Sequence, residues 1–300
     1  METVYKPAKN VVVQKIIDYA QLTKMRLTLL VVFSAVIGFL FGVNGVYSIT
    51  SVFFVALGGL LVTSSSIIIN QIIERDIDKL MLRTATRPLP SGRMGLLEAV
   101  FAAGLFGIGG ILLLWYQFNA IAGVLAAISL LSYGFLYTPL KRIHSIAVFV
   151  GAIPGALPTT IGYVCATGTI DFIAVLLFVI QFLWQFPHFW AIAWVQYDDY
   201  KKAGIMLLPS SGGKNKFSAF QTMLYTFTLL LVSIFPYYLG IVGIVGSIVI
   251  IITGTIFLWQ SIQLWIKCDD ASARKLMFGS FLYLPVVQLA MLIDKTNLIK

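Results

Sequence analysis

The sequence carries little charge and has no long polar segment. Of its 300 residues, 11% are Asp, Glu, Lys or Arg, whereas soluble domains carry about 25%. The hydrophobic content is 59% and the mean hydropathy is +0.93. These values exclude an ordinary soluble domain and predict an all-α, polytopic membrane protein. Because no polar linker divides the apolar segments, we expect residues 1–300 to form a single integral-membrane domain.

Cysteine is also scarce, with only Cys165 and Cys268 in the chain. Two distant cysteines exclude a disulfide framework and a cysteine-based metal site, so we expect free thiols. A cleavable leader is not indicated either. The apolar run after Arg26 is too long for a signal-peptide core and no small-residue cleavage site follows it cleanly, which predicts a retained first helix.

Acidic residues number only 12 against 21 basic ones, a net charge of +9. In a soluble chain this balance would suggest a nucleic-acid partner. Here the basic residues lie in short segments between apolar runs, which is the pattern of membrane topology. We therefore expect no nucleic-acid partner and a lipid bilayer around the protein.

Nine apolar runs are long enough to cross a membrane as helices, which need about 20 residues. They cover roughly residues 27–45, 50–73, 96–116, 119–137, 145–166, 170–194, 217–237, 240–263 and 274–293. With a cytoplasmic N-terminus and the C-terminus outside, all 21 Lys and Arg except Lys295 and Lys300 fall on the inner side. This bias is a strong positive-inside signal, and in a bacterial cell it indicates the inner, cytoplasmic membrane.

Residues 70–93 hold an unusual concentration of charge, directly after the second apolar run. If the helix continues to residue 78, Asn70, Glu74 and Asp78 share one face at i, i+4 and i+8, and Asp76 points roughly opposite. Carboxylate and amide oxygens are ligands that Mg²⁺ accepts, with water and substrate phosphate in its remaining positions. The alternative is a solvated helix end with surface ion pairs.

A second charged stretch begins at Asp198 and Asp199, and the predicted topology places it on the same membrane face as residues 70–93. The two stretches therefore can meet over one cavity. In the sixth span, Gln181, Gln185 and His188 lie among apolar residues. Polar groups inside a membrane are costly and usually face the protein interior. For His188 a functional role competes with a hydrogen-bonded packing role.

Several motifs in order resemble a known family. They are Asn70-x-x-x-Glu74-x-Asp76-x-Asp78 with Arg83 to Leu89, then Tyr137-Thr138 with Lys141-Arg142, then Gln185-x-Pro187-His188-Phe189-Trp190, and Asp199-Tyr200-x-x-Ala203-Gly204. Together they resemble the protohaem IX farnesyltransferases of the UbiA-type intramembrane aromatic prenyltransferase superfamily. The resemblance runs from about residue 22 to residue 209 and more weakly to the end.

The resemblance implies nine transmembrane helices around a central cavity and a Mg²⁺-dependent enzyme. The expected reaction joins the farnesyl group of farnesyl diphosphate to a vinyl group of haem B, adds water and releases diphosphate, giving haem O. It also implies catalytic roles for Asn70, Glu74, Asp78, Asp198 and Asp199, with the metal held by Asn70, Glu74, Asp78 and Asp199. Adjacent Asp198 and Asp199 replace a pair spaced by four residues in the wider superfamily, so the number of metal ions stays open.

The remaining candidates are side chains suited to bind the two substrates. Those expected to hold diphosphate or the haem propionates are Lys79, Arg83, Arg87, Lys141, Arg142 and Lys201. Tyr133 and Tyr137 could face an allylic cation, and His188 could ligate or orient the haem iron. A haem-processing or terminal-oxidase assembly protein is a candidate partner. The alternatives are a prenyltransferase for a quinone-precursor acceptor and, less favoured, a secondary transporter.

Overall fold

The computed structural model describes residues 11–296 and is built almost wholly of helices. Lys6, Lys9 and Lys300, which entered the charge pattern above, lie outside the described residues. Residues 11–296 contain no strand, only an isolated antiparallel bridge between Val242 and Lys295. The helices are α1 (Val11–Leu22), α2 (Met25–Gly42), α3 (Ile49–Asp78), α4 (Leu96–Gln117), α5 (Ala120–Leu131), a π-helix (Ser132–Tyr137), α6 (Thr138–Leu140), α7 (Ala147–Thr167), α8 (Phe172–Val195), α9 (Tyr197–Lys202), α10 (Lys216–Tyr238), α11 (Ile244–Lys267) and α12 (Asp270–Ile293).

The prediction of nine membrane-spanning segments is confirmed for the described part of the chain. Nine helical segments there are long and apolar enough to cross a membrane, and one of them joins α5, the π-helix and α6 over Ala120–Leu140. The fold class is therefore an all-α polytopic membrane protein. Helices suit this environment because they satisfy their own backbone hydrogen bonds where no water is available.

The boundaries between neighbouring spans follow from local sequence. Asn119 separates the third span from the fourth because its side chain accepts a hydrogen bond from the backbone N–H of Ala122, 2.9 Å away. Asp171, Asn215 and Asp269 cap α8, α10 and α12 in the same way. Such caps satisfy N–H groups that have no partner inside the helix. A short polar residue thus marks the start of each of these four helices.

Helices α2 and α7 pack closely through glycine residues. Gly38 of α2 faces the backbone of Thr159, and Gly162 of α7 faces the carbonyl oxygen of Ala35. A Cβ atom on either glycine would overlap those backbone atoms. Small residues permit such approaches in membranes, where van der Waals contact replaces the hydrophobic effect as the force between helices.

Basic loops gather at one end of the bundle. There Lys15 pairs with Glu98, Arg93 with Asp18 and Lys214 with Asp270. Lys295 lies at the other end, where its ammonium group donates to the carbonyl oxygen of Val43 at 2.7 Å. The two-sided charge distribution is thus present in the fold, while the assignment of the basic end to the cytoplasm remains a prediction.

Three elements were not anticipated from the hydropathy pattern. Helix α1 precedes the first span, α9 carries the second charged stretch, and residues 132–137 form a π-helix. π-Helical turns are rare and occur frequently at functional sites. This one lies beside the charged end of α3.

Candidate functional site

The last turns of α3 carry the acidic row into the interior of the protein. α3 runs unbroken to Asp78, so Asn70, Glu74 and Asp78 lie on one face as the spacing predicts. Their exposures are 2%, 3% and 0%. Asp76 is on the outside, where it pairs with Arg75 and Lys79. The alternative of a fully solvated helix end is therefore wrong for the row and correct for Asp76.

Each buried carboxylate in the row has a basic partner. Arg87 Nη1 donates to Asp78 Oδ2 at 2.7 Å, and Lys141 Nζ lies 2.5 Å from Glu74 Oε1. Asn70 donates from its side-chain amide to Thr138 Oγ1 at 3.1 Å. These contacts join the end of α3 to the segments around residues 87 and 138–141. Burial lowers the pKa of Lys141, while Glu74 opposes that shift.

One oxygen of Asp78 remains without a partner. Asp78 Oδ1 is buried and forms no hydrogen bond with any residue between 11 and 296. A buried carboxylate oxygen without a partner is costly, and such an atom in a native fold indicates a ligand or ordered water. The described residues contain no group of three His, Cys, Asp or Glu side chains placed around one metal.

Lys24 is a site residue that the sequence reasoning missed. It lies between α1 and α2 with φ 46° and ψ 53°, a left-handed conformation that is uncommon outside glycine. Backbone strain of this kind often occurs at binding sites. Burial together with Arg87 and Lys141 lowers the pKa of Lys24 to about 7, and Asp78 and Glu74 partly oppose them. An anionic ligand would favour its protonated form. The sequence clue that could have indicated Lys24 is a lysine directly before the first long apolar run.

Two predicted tyrosines lie next to the acidic row because of the π-helix. The ring centroids of Tyr133 and Tyr137 are 5.2 Å apart, and Tyr137 also packs against Phe189 of α8. Lys141 Nζ lies 5.5 Å from the centre of the Tyr137 ring. The wide turn is closed by Thr138 Oγ1, which donates to the carbonyl oxygen of Tyr133, five residues earlier. Aromatic rings therefore border the acidic row on its membrane side.

The second charged stretch reaches the site chiefly through Tyr200. Arg83 lies over the Tyr200 ring at 5.2 Å, and Tyr200 interacts electrostatically with Glu74 and Arg87. Burial is the largest cause of the raised pKa of Tyr200. Tyr200 belongs to the second charged motif, but the sequence pattern did not predict it as a site residue.

The other predicted residues of this end are more peripheral. Asp199 pairs with Lys202 at 3.5 Å, while Asp198 and Lys201 are exposed. Lys79 is held at the surface by Asp76. Arg142 is exposed and borders a pocket of about 400 Å³ that also includes Glu74, Thr138 and Gly204. The structure thus groups Glu74, Asp78, Arg87 and Lys141 closely and leaves Asp198, Lys201 and Lys79 outside that group.

A largely apolar cavity of about 240 Å³ adjoins this site within the bundle. Its walls come from α2, α3, α5 with the π-helix, α7, α8 and α12. Leu30 and Phe281 border it and are 58% and 43% exposed, so the cavity is open on the side where α2 meets α12. Tyr133 belongs to its wall as well. We call this space the central cavity.

His188 borders the central cavity in a defined orientation. Its ring stacks on Trp184 with centroids 4.4 Å apart. Ser280 Oγ donates to the carbonyl oxygen of Met277 at 2.6 Å, so it accepts from Nδ1–H of His188 at 2.8 Å. This tautomer leaves a lone pair on Nε2, the form in which imidazole binds metals.

Similarity to known proteins agrees with the order of the motifs. The sequence model of the UbiA prenyltransferase family matches residues 31–284. The chain is 47% identical over 277 residues to the protoheme IX farnesyltransferase of Cytophaga hutchinsonii, covering 92% of this chain and 97% of that protein. It is 43% identical to the protein of the same name from Flavobacterium johnsoniae, covering 96% and 98%.

Solved structures share the fold. A digeranylgeranylglyceryl phosphate synthase superimposes with a TM-score of 0.77 and 24% identity, covering 94% of this chain and 98% of that one. A UbiA homologue from Archaeoglobus fulgidus bound to DMAPP and Mg²⁺ superimposes with a TM-score of 0.70 and 17% identity, covering 91% and 99%. At these identities the likeness supports the architecture alone.

Proposed function

The chain belongs to the UbiA prenyltransferase family, and from this premise we propose that it is a protohaem IX farnesyltransferase. It transfers the farnesyl group of farnesyl diphosphate to a vinyl group of haem B, with addition of water and release of diphosphate, to make haem O. The observation that carries the proposal is the buried acidic row under basic side chains, next to a cavity that contains His188. The names of relatives with 33–47% identity support the same reaction.

The donor set at the end of α3 fits a magnesium ion. Asn70, Glu74 and Asp78 offer oxygen ligands, and Asp78 Oδ1 has no hydrogen-bond partner among residues 11–296. Mg²⁺ usually keeps several coordination positions for water and phosphate oxygens, which suits a site that binds a diphosphate. When bound there, Mg²⁺ supplies Lewis-acid stabilisation of a diphosphate leaving group. Asp199 is a further proposed ligand, although it pairs with Lys202 in this structure.

The basic side chains around the row suit the diphosphate. Arg87 and Lys141 are mostly buried, with side-chain exposures of 16% and 11%, and Lys24 interacts with both. Charge stabilisation is stronger where water is excluded. These groups and Arg83 would bind the diphosphate as negative charge develops on it. Lys79, Arg142 and Lys201 are more exposed and are proposed to contact the haem propionates or the outer part of the diphosphate.

The aromatic side chains suit the carbon end of the reaction. Tyr133 borders the central cavity and contacts Tyr137 near the acidic row. Ring faces attract cations, and more strongly where water is excluded. The farnesyl chain would lie in the apolar cavity, with its first carbon close to these rings. The haem vinyl group would attack that carbon as the bond to the diphosphate oxygen breaks.

The proposed environment is a bacterial cytoplasmic membrane, with the charged end of the bundle on the cytoplasmic side. The positive-inside pattern supports that orientation. Both substrates combine an apolar body with anionic groups, so each can bind with its apolar part in the bilayer and its anionic part at this end. A partner that receives haem O, in haem processing or terminal-oxidase assembly, stays a prediction from the resemblance.

The reaction is tested by mass spectrometry of extracted haems. Membranes that contain the protein, supplied with haem B, farnesyl diphosphate and Mg²⁺, are expected to produce a haem heavier by one farnesyl group plus one water. Membranes without the protein provide the control. Farnesylation of an added quinone precursor with no modified haem would instead favour the alternative acceptor.

His188 is expected to bind the haem iron. In the purified protein with haem B, His188→Ala should shift the Soret band and weaken haem binding by about tenfold or more, since an axial ligand is lost. The matched control is His144→Ala. His144 is exposed in a loop and its Nδ1 accepts from the backbone N–H of Ile146. An unchanged spectrum and haem affinity in His188→Ala would exclude iron binding by His188 and favour a packing role.

A further inference from the structure

A belt of polar side chains crosses the middle of the bundle between α2, α7, α8 and α12. Ser34 donates to Gln288, and the Gln288 amide donates to Thr159 and Gln181. Thr159 donates to Gln181 Oε1. All four side chains are buried. Their hydrogen-bonding groups are largely used by one another, as buried polar groups in a membrane require.

Gln185 lies beside these four side chains, and its amide oxygen has no hydrogen-bond donor among the described residues. Its Nε2 donates to the carbonyl oxygen of Gly155 at 2.9 Å. Its Oε1 accepts no hydrogen bond from any residue in the described range 11–296. The residue is only 5% exposed, yet it borders the central cavity. Its amide oxygen is therefore available to accept a hydrogen bond from a molecule in the cavity.

The position of the Gln185 amide is set by glycine. A Cβ atom on Gly155 would lie 2.7 Å from the Gln185 side-chain carbonyl carbon, so no larger residue permits this approach. The same Gly155 carbonyl oxygen also accepts from Gln181 Nε2 at 2.9 Å. Two neighbouring amides are thus aligned on one backbone oxygen, and the Gln185 Oε1 atom has a defined location.

Gln185 also lies close to the proposed acceptor site. Gln181, Gln185 and His188 occupy positions i, i+4 and i+7 of α8, which share one face. Gln185 and His188 are separated by about one turn, or about 5 Å along the axis. Apolar residues such as Val31 and Leu284 form much of the remaining cavity wall. Serine and threonine hydroxyl groups also line the cavity, and they can supply the further hydrogen bonds that a held water molecule needs.

We propose that Gln185 Oε1 holds the water molecule that adds to the farnesylated vinyl group. This inference rests on the proposed function. Attack by the vinyl group forms a carbon–carbon bond and breaks the bond between the farnesyl carbon and diphosphate, leaving a cation on the vinyl carbon next to the porphyrin ring. The held water donates its lone pair to that carbon, forming a carbon–oxygen bond. The proton it loses passes to the released diphosphate, which is basic enough to accept it.

The competing outcome is loss of a proton from the cation, which gives an alkene lighter by one water. The held water decides between the two products because bulk water has little access to the apolar cavity. Gln185 is therefore a positioning residue, since it acts through the water. Its contribution is measured by the ratio of hydrated to dehydrated farnesyl haem, which a purely structural role would leave unchanged.

The test compares this ratio in wild type and Gln185→Leu by mass spectrometry of the extracted haems. We expect the ratio to fall roughly five- to tenfold in the variant, the effect of one hydrogen bond. The matched control is Gln260→Leu, which makes the same change on α11 away from the cavity wall and should keep the wild-type ratio. Normal turnover with an unchanged ratio in Gln185→Leu would overturn the proposal.

A second variant tests the proposal if Gln185→Leu loses all farnesyl transfer and therefore gives no product ratio. Gly155→Ala displaces the Gln185 amide and retains its chemistry, so it should also lower the ratio, and an unchanged ratio there would count against the proposal. If the wild-type protein makes no farnesyl haem, the proposed function itself fails. If the variants make farnesyl haem with the wild-type product ratio, the proposed function stands and only the role of Gln185 is excluded.

Discussion

Replacement of Asp78 by Asn is expected to reduce farnesyl transfer by at least about 100-fold, the scale of losing one electrostatic contact to a reacting oxygen. In the wild type, Arg87 Nη1 donates to Asp78 Oδ2 at 2.7 Å. Asn preserves the shape of the side chain and an oxygen that can accept this hydrogen bond. It removes the negative charge and replaces one carboxylate oxygen by an amide group. The measurement is the initial rate of haem O formation with saturating Mg²⁺.

Asp76→Asn is the matched control for this experiment. Asp76 lies two residues earlier on α3, but its side chain is 69% exposed and, among residues 11–296, pairs only with neighbours on the outer face. Exposed ion pairs contribute little, so the control should retain the wild-type rate. Both variants should elute as folded protein in detergent. A folded Asp78→Asn enzyme with a normal rate and normal Mg²⁺ dependence would exclude Asp78 as a metal ligand.

Replacement of Gly162 by Val is expected to destabilise the fold by about 3 kcal/mol or more, at the upper end of overpacking effects. A Cβ atom at this position overlaps the carbonyl oxygen of Ala35 on α2. Backbone atoms cannot move aside as a flexible side chain can. α2 and α7 would have to separate, and both helices form walls of the central cavity. Thermal unfolding in detergent measures the effect, together with loss of haem binding.

Gly104→Val separates this packing effect from the general effect of a β-branched residue in a spanning helix. Gly104 lies within α4, and a Cβ atom at this position would have no neighbour within 4 Å in the described part of the chain beyond its own helix turn. The control should unfold near the wild-type temperature. If Gly162→Val and Gly104→Val unfold alike, the close contact between α2 and α7 does not limit stability.

The membrane architecture was predictable because it depends on composition and length. Nine apolar runs, several of them separated by short polar boundaries such as Asn119, define nine helices whatever their tertiary partners. The acidic row was predictable for a similar reason. Asn70, Glu74 and Asp78 share a face through the helical repeat alone, and α3 continues far enough to include all three.

Other parts of the site depend on contacts between distant segments. The proximity of Lys24 to Asp78 requires the junction of α1 and α2 to meet the end of α3, which hydropathy does not specify. The π-helix at 132–137 lies within an apolar run whose residue pattern does not distinguish it from an α-helix. The free acceptor of Gln185 emerges only after every neighbouring amide has been paired. Interactions of this kind are set by tertiary packing and not by local pattern.

The length of α3 has a consequence for the choice of isoprenoid substrate. Its 30 residues span about 45 Å, more than the hydrocarbon thickness of about 30 Å. The same unbroken helix carries Val62 and Ile67 of the cavity wall and Glu74 and Asp78 of the charged row. Because one continuous helix carries both groups, the distance between the diphosphate position and these wall residues is fixed by the helical rise. Discrimination between shorter and longer prenyl chains then falls to the helices that face α3 across the cavity.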